Sequence, residues 1–564
     1  MILLNPHHHT RIYHEQRSRD IMRHTIAFFE TRGKRKLTDD DQARTWYADF
    51  LAFQQQERLF ATLLTPPEYG ADDCRWDSWR NFEFNEILAF YGLAYWYTWQ
   101  VTILGLGPLW MSQQEALKRR AARLLQEGEV FAFGLSEQHH GADIAATEMQ
   151  VIPQADGSYL AEGSKYYIGN AHIAPMVSTF GKMADTGDYV FFTVDYRHPA
   201  YTCIQNVCDS QNFVAEFRLH QYPIAAHDIV SRGQDAWDSV LNTVNIGKWN
   251  LGGAAVGVCT HALYEALNHA ATRQLYGRSV TDFPHIKRLL IDAYTRLVAM
   301  KLFALRALDY MRAASPGDRR YLLYNTIVKM KVTTQGEDVI NLLADVIAAK
   351  GFEKDTYFAI AARDIRALPK LEGTVHVNLA LIAKFIVNYV FNPAARPDVP
   401  QRSEPQHDAF LFTQGPARGL GHIQFHDYER ILARFDVANV RIFHEQIALF
   451  KAFLAQATPS AEQRLDTDFS MAVAELFALL VYGQLILENV TIYAIDDATV
   501  AQIFDVLVRD FSIYALQLHH KPGTTTHQMH YCLQMIRKPA VHPQQYQRIW
   551  EQVSALKGLY EMPA

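Results

Sequence analysis

Four stretches hold residue types and spacings that could do chemistry. Arg363-Asp364-Ile365-Arg366-Ala367-Leu368-Pro369-Lys370-Leu371-Glu372-Gly373-Thr374 sets one carboxylate, Glu372, beside a glycine between long helical segments. Pro369 cannot continue a helix and disfavours helical geometry at Leu368, while Gly373 permits a turn closed to other residues, so the break can aim Glu372 at a site. The structural alternative is a helix start, with Glu372 near its positive end and Thr374 as cap. In Phe133-Gly134-Leu135-Ser136-Glu137-Gln138-His139-His140-Gly141-Ala142-Asp143, small residues let backbone amides approach a ligand and Ser136 adds a hydroxyl. Those donors suit a ring carbonyl, a ring nitrogen or phosphate oxygens. Gly163-Ser164-Lys165-Tyr166-Tyr167-Ile168-Gly169-Asn170-Ala171 is an aromatic-bearing strand that can lay a ring against a planar group. Asn268 to Arg278 reads as a helix ending at Gly277, where Arg273 either serves the helix C-terminus or clamps a pyrophosphate. Taken singly, each also reads as a loop, a core strand or a cap.

The elements that must position these residues come from a chain of 564 residues, long enough for two to four domains. Apolar residues make up 49% and charged residues 20%, a globular balance that excludes extensive disorder. A net charge of -6 argues against a nucleic-acid surface, and the basic run Arg32-Gly33-Lys34-Arg35-Lys36 reads as a solvated loop or helix edge. Five scattered cysteines without a CxxC pair suit a reducing cytoplasm and offer no metal cage; His7-His8-His9 lacks further ligands, so no metal is expected. The first residues do not read as a leader, and no unbroken apolar run of membrane-spanning length is seen, so a cytoplasmic protein without a membrane span is expected.

Residues 1–128 carry helical periodicity, with Pro66 to Gly70 as a loop and Ser112-Gln113-Gln114-Glu115 as a capping box for the last helix. Residues 129–240 change period. Thr147 to Pro153, Tyr159 to Glu162, Lys165 to Ile168, Val177 to Met183 and Tyr189 to Val194 read as strands of a small antiparallel domain. No GxGxxG follows a strand, which removes a Rossmann reading. Residues 241–392 return to long apolar-faced helices, a bundle; 393–421 are a proline-rich linker or covering loop; 422–564 are a helical extension.

In order, spacing and residue type the four stretches resemble the acyl-CoA dehydrogenase superfamily across roughly Tyr13 to Asn392. The family's flavin loop, Thr/Ser-Glu-x-x-x-Gly-Ser-Asp, is matched by Ser136-Glu137, Gly141 and Asp143. Its strand Gly-x-Lys-x-Trp-Ile-Thr-Asn is matched by Gly163, Lys165, Ile168 and Asn170; its Arg-x-x-Phe-Gly by Arg273 and Gly277, with Tyr276 in place of Phe. Its Arg-Asp…Glu-Gly-Thr is matched by Arg363, Asp364, Glu372, Gly373 and Thr374. The resemblance implies a mainly α fold: an N-terminal helical domain, a middle β-barrel-like domain and a C-terminal helical bundle, here with an additional α-helical extension. It also implies FAD between domains and usually across a subunit boundary.

The implied reaction is α,β-dehydrogenation of an acyl thioester in fatty acid metabolism, with Glu372 removing the α proton and flavin N5 receiving the β hydride. An α proton of a thioester is too weakly acidic for a carboxylate in water, so hydrogen bonds to the thioester carbonyl must stabilise the enolate. By the same resemblance Phe133, Leu135, Ser136, Gly141, Ala142, Tyr167 and Gly169 would line the flavin, and Arg273 and Tyr276 would meet the partner subunit's FAD. Thr374 would approach the cofactor, and Lys248 and Gly373 would contact substrate. Departures from the pattern are Ala142 for Ser, Tyr167 for Trp, Gly169 for Thr, Asp345-Val346-Ile347-Ala348-Ala349 for Gln-x-x-Gly-Gly, and Lys248 for an Arg near the CoA adenine. Lys248 keeps the charge but loses the guanidinium fork, which opens acyl carrier protein thioesters as substrates beside acyl-CoA. The expected electron acceptor is electron-transfer flavoprotein or another carrier, and the expected assembly a homodimer. An oxidase or flavin oxygenase on the same scaffold, and a binding protein that has lost FAD, are the alternatives. Mixed charge at Asp427, Glu429, Arg430, Arg434 and Asp436 disfavours nucleic acid for the extension.

Overall fold

The computed structural model describes residues 2–9 and 13–564. It divides into two compact units: one holds residues 13–257, 403–418 and 562–564, the other residues 2–9, 258–402 and 419–561.

The first unit opens with helices α1 (Gln16–Gln42), α2 (Ala48–Gln56), α3 (Leu59–Leu64), α4 (Ser78–Tyr91), α5 (Leu93–Met111) and α6 (Glu115–Gln126). Their burial follows their composition. In α6 the buried residues Leu117, Ala121, Leu124 and Leu125 lie on one stripe, whereas every residue of α4 is buried. Asp77 caps α4, accepting from the N–H of Trp79 at 3.1 Å. The capping box expected at Ser112 does not form: α6 begins after Gln114, and the Ser112 hydroxyl accepts from the Gln114 N–H outside the helix. The basic run at Arg32 is the helix edge expected at Arg35 and Lys36, which are exposed, but not at Arg32. It continues α1 through a kink at Gly33, φ 75°, and the Arg32 side chain is buried against Asp40 and Asp49.

Strands β1 (Ala132–Gly134), β2 (Gln150–Pro153), β3 (Tyr159–Gly169), β4 (Val177–Met183), β5 (Tyr189–Val194), β6 (Tyr201–Asn206), β7 (Val214–Ile224) and β8 (Ile229–Arg232) form one sheet in the order β6-β7-β3-β2-β4-β5-β8, with β1 beside β4. Contrary to the expected antiparallel arrangement, β1 and β2 both pair with β4 in parallel, because the chain leaves β1 through a long loop before re-entering as β2. The two strands read on either side of Gly163 are one strand. It absorbs register shifts against β7 at Gly163 and beyond Lys165 as bulges, so the glycine bends the strand without ending it. Met149, Val151, Ala161, Ile168, Val177 and Phe217 belong to its core. Against this sheet α5 brings Gly105, where a Cβ would come within 2.7 Å of the Ala132 carbonyl, and the Ser178 hydroxyl donates to the Gly105 carbonyl at 2.7 Å. Part of the proline-rich loop returns to this unit: Asp408 accepts from the Ser78 N–H at 2.7 Å, and Phe412 meets Trp76 edge-on.

Helix α7 (Gly233–Thr272) crosses the unit boundary. It starts ahead of Leu241, where the apolar period first shows, because its opening turns are polar. The second unit continues with a hairpin of β9 (Gln274–Leu275) and β10 (Arg278–Ser279), then α8 (Pro284–Arg312), α9 (Tyr321–Ile327), a π-helical turn (Val328–Val332), α10 (Thr333–Ile347), α11 (Tyr357–Asp364), α12 (Val375–Ala383) and α13 (Ile386–Phe391). The extension supplies α14 (Glu429–Leu432), α15 (Ala438–Gln456), α16 (Ala461–Leu465), α17 (Thr467–Ile492), α18 (Asp497–His519), α19 (Thr526–Met535) and α20 (Pro543–Ser554). Buried ion pairs fasten it to α8: Arg306 donates to Glu488 of α17 at 2.7 Å, and Arg296 to both oxygens of Asp510 of α18 at 2.8 Å. Helix α17 is long and apolar enough to cross a membrane by length and composition, although Glu475, Gln484 and Glu488 break its apolar run, and 83% of its apolar window is buried inside the protein.

Candidate active site

Glu372 follows a segment that is sewn down before it reaches the carboxylate. α11 ends at Asp364, turns carry the chain past Pro369, and α12 starts only at Val375. The fully buried Lys329, in the π-helical turn, donates to the Leu368 carbonyl at 2.7 Å, and Lys370 pairs with Glu337 at 2.8 Å. Glu372 then adopts φ 52° and Gly373 φ 88°. The left-handed region is costly for a residue with a Cβ and persists only where the surroundings enforce it. Here Asn378, wholly buried, donates to the Gly373 and Thr374 carbonyls at 3.0 and 2.9 Å and locks the turn. Thr374 is the N-cap of α12, accepting from the Val377 N–H, so the structural alternative for Thr374 holds as well.

The same signature recurs in two of the other three stretches, at Tyr167 and Asn170 and at Tyr276. Among the described residues, the non-glycine residues with positive φ are Arg44, Arg58, Tyr167, Asn170, Gln221, Tyr276, Ala348, Glu372 and Ala494, so the stretch from Phe133 to Asp143 contributes none.

In the first unit, Lys165 and Glu137 tie the Leu135–His140 loop to β3. The Lys165 ammonium, fully buried, donates to Glu137 at 2.7 Å, to the Leu135 carbonyl at 2.9 Å and to the Thr147 hydroxyl at 3.2 Å. Glu137 also accepts from the Glu148 and Met149 N–H groups at 2.8 and 3.2 Å. That spends the residues expected to begin β2, which is why the strand starts at Gln150. Burial pushes the Lys165 ammonium down to about 8 against the pull of Glu137. Burial would raise the Glu137 carboxyl, but Lys165 and the donors from Glu148 and Thr147 outweigh it and hold it below the ordinary carboxylate range. Glu137, His140 and Glu148 bring ligand-type atoms within 4.8 Å of one another, yet Glu137 is committed to Lys165.

The Ser136 hydroxyl donates to the Tyr166 carbonyl at 2.8 Å, leaving its oxygen able to accept. Among the described residues the N–H groups of Ser136, Gly141 and Ala142 have no acceptor in the chain. Tyr167, next in sequence to the Tyr166 that Ser136 holds, is 60% exposed. Free amide donors and an exposed ring fit a planar heterocycle with carbonyl and phosphate oxygens, which is the chemistry of FAD. Phe133 is buried and stacks on Phe191 at 5.9 Å, so it supports the loop's floor from below. Gly169 has no room for a side chain: a Cβ would lie 2.6 Å from the Tyr97 ring. Asn170, buried, donates to the Thr98 and Phe131 carbonyls at 3.2 and 3.1 Å, joining β3 to α5.

Arg273 lies just past α7, and the expected helix end at Gly277 is instead the tip of the β9–β10 hairpin. Leu275 pairs with Arg278, leaving Tyr276 and Gly277, φ 50° and 76°, as a two-residue turn of the type such twisted hairpins favour. Tyr276 projects 95% exposed. Ala348, at the first glycine position of the family's Gly-Gly, keeps a glycine-like φ 54°, ψ -141°, so the backbone path survives the substitution. Lys248 is only 7% exposed within α7, a buried charge and not an open surface contact. The Lys165–Glu137 clamp, Lys329 and Asn378 went unassigned from sequence; the opposite charges inside two separate motifs were the available signal for the first.

Residues 235–387 match the family model described as acyl-CoA dehydrogenase, C-terminal domain. A 3-(aryl)acrylate reductase of Clostridium sporogenes is 22% identical over 289 residues, 50% of this chain and 75% of its own. An acyl-CoA dehydrogenase of Bacillus subtilis is 23% identical over 295 residues, 51% of this chain and 76% of its own. Among solved structures, an acyl-CoA dehydrogenase complexed with FAD from Bacillus anthracis superposes with a TM-score of 0.77 at 14% identity, covering 98% of this chain and 96% of its own. At that identity the likeness is one of fold, and it takes in the extension.

Proposed function

Since the chain belongs to the acyl-CoA dehydrogenase superfamily, we propose that it is an FAD-dependent oxidoreductase that introduces a double bond between the α and β carbons of an acyl thioester. Glu372 removes the α proton. FAD, when bound, supplies the acceptor for the hydride leaving the β carbon. The observation that carries this reading is the enforced left-handed turn at Glu372 and Gly373, held by Asn378. A carboxylate so positioned need not reorganise to meet a substrate carbon, and the turn's own N–H groups are suited to polarise a thioester carbonyl. Ser136, Gly141, Ala142 and Tyr167 would hold the isoalloxazine; Arg273 and Tyr276, on an exposed hairpin, would reach the FAD of a second copy in a homodimer. Removing the Tyr276 ring should then lower flavin retention without changing the subunit's melting temperature.

The test is product mass. FAD-loaded protein given acyl-CoA and acyl carrier protein thioesters, with electron-transfer flavoprotein or an artificial acceptor, should yield a thioester lighter by two hydrogens. Unchanged thioester with every acceptor would defeat the proposal.

A second reading, an oxidase, is favoured by one feature. Where the family places a threonine hydroxyl, Gly169 is packed against Tyr97, so the flavin's surroundings differ there. Stoichiometric peroxide in air without a carrier would select this reading.

A further inference from the structure

The helices that follow the Glu372 turn and the first part of the extension enclose a groove of about 470 Å³ in the second unit. Its walls are Ile386, Val387 and Phe391 of α13, Leu454 near the end of α15, and Phe469 at the start of α17. Val387 is 62% exposed and Phe391 39% exposed, so apolar surface is left open to solvent inside a concavity, an arrangement that marks binding sites more than it marks ordinary surface.

Two cations edge it. Lys384 follows α12, and Arg464 stands in the last turn of α16. Neither pairs with a carboxylate among the described residues. The neighbouring carboxylates are already engaged: Asp466 caps α17, accepting from the Asp468 N–H at 2.9 Å, and Asp468 accepts from Lys521 at 2.5 Å. An apolar trough ending in unneutralised cations is complementary to an aliphatic chain that ends in an anion. Its volume lies at the lower end of the range of small-molecule pockets, which suits one chain and not a two-chain lipid.

We propose that this groove is a binding site for a single medium-chain fatty carboxylate, separate from the residues assigned to catalysis. Because the claim concerns binding at α13 and the extension, it stands or falls independently of the proposed dehydrogenation.

The test is calorimetric titration of the FAD-loaded full-length protein with dodecanoate. Saturable binding is expected, weakened roughly tenfold by Val387→Asp, which places a charge on the trough wall at an exposed position that folding tolerates. Lys384→Glu should weaken it about threefold, and 1-dodecanol, which lacks the anion, should bind wild type more weakly by a similar factor. An isotherm unaltered by both substitutions would overturn the proposal. So would a Val387→Asp protein that binds dodecanoate normally but changes its subunit number, since the groove would then be a contact between copies.

Discussion

Replacing Lys165 with methionine removes the ammonium that ties the Leu135–His140 loop to β3 while keeping most of the side chain's volume. The structure sets the scale of the loss. Lys165 is fully buried and Glu137 is 7% exposed, so the substitution leaves a carboxylate away from water without its countercharge. Breaking a buried pair from one side costs about 3–5 kcal/mol, and the surviving donors from Thr147, Glu148 and Met149 place this case near about 3. For a unit of this size that is a fall in melting temperature of roughly 6–12 °C. Glu137→Gln should cost less. The Lys165 ammonium already lies at about 8, so without Glu137 it can shed its proton near neutrality and still meet the Leu135 carbonyl. The double substitution should therefore recover at least about 1 kcal/mol relative to the sum of the single losses. Scanning calorimetry on the four proteins gives the energies, and flavin content after gel filtration tells whether the loop holds the cofactor. A Lys165→Met protein that melts with wild type and keeps its flavin would refute the reasoning.

Two further outcomes follow from the geometry. Ala348→Gly relieves a positive φ at a residue with a Cβ, and after the added chain entropy of glycine it should stabilise the protein by about 1 kcal/mol in urea unfolding. His172 stacks on Phe213 with ring centroids 4.1 Å apart, and burial holds its imidazole down at about 4. The unfolded chain takes up this proton near pH 6.5 and the folded chain does not, so stability present above pH 6.5 should decline toward pH 4. His172→Phe should flatten that part of the pH–stability curve, and an unchanged slope would exclude His172 as its source.

Much of the fold was legible because it rests on local rules. Strands β4 and β5 match the β-branched and aromatic runs from Val177 and Tyr189 residue for residue, and the helical runs before and after the sheet follow their apolar stripes. What failed was what tertiary partners decide. Gly163 and Gly277 were read as terminators, yet one is a bulge and the other a hairpin tip, since a glycine states what the backbone may do and not what it does. Helix α19, rich in Gln and His, has too weak an apolar stripe to stand out. The site divides in the same way. Glu372 was found from its motif, whereas Asn378 and Lys329 act through hydrogen bonds to backbone carbonyls, and such contacts leave no pattern in residue type.

The central claim is that Glu372 is the base, and anaerobic titration of the FAD-loaded protein with a saturated acyl-CoA tests it most directly. Wild type should lose its yellow absorbance as substrate is added, while Glu372→Gln, with the same fold and flavin content, should stay oxidised. Full bleaching of the Glu372→Gln protein at the wild-type rate would contradict the account.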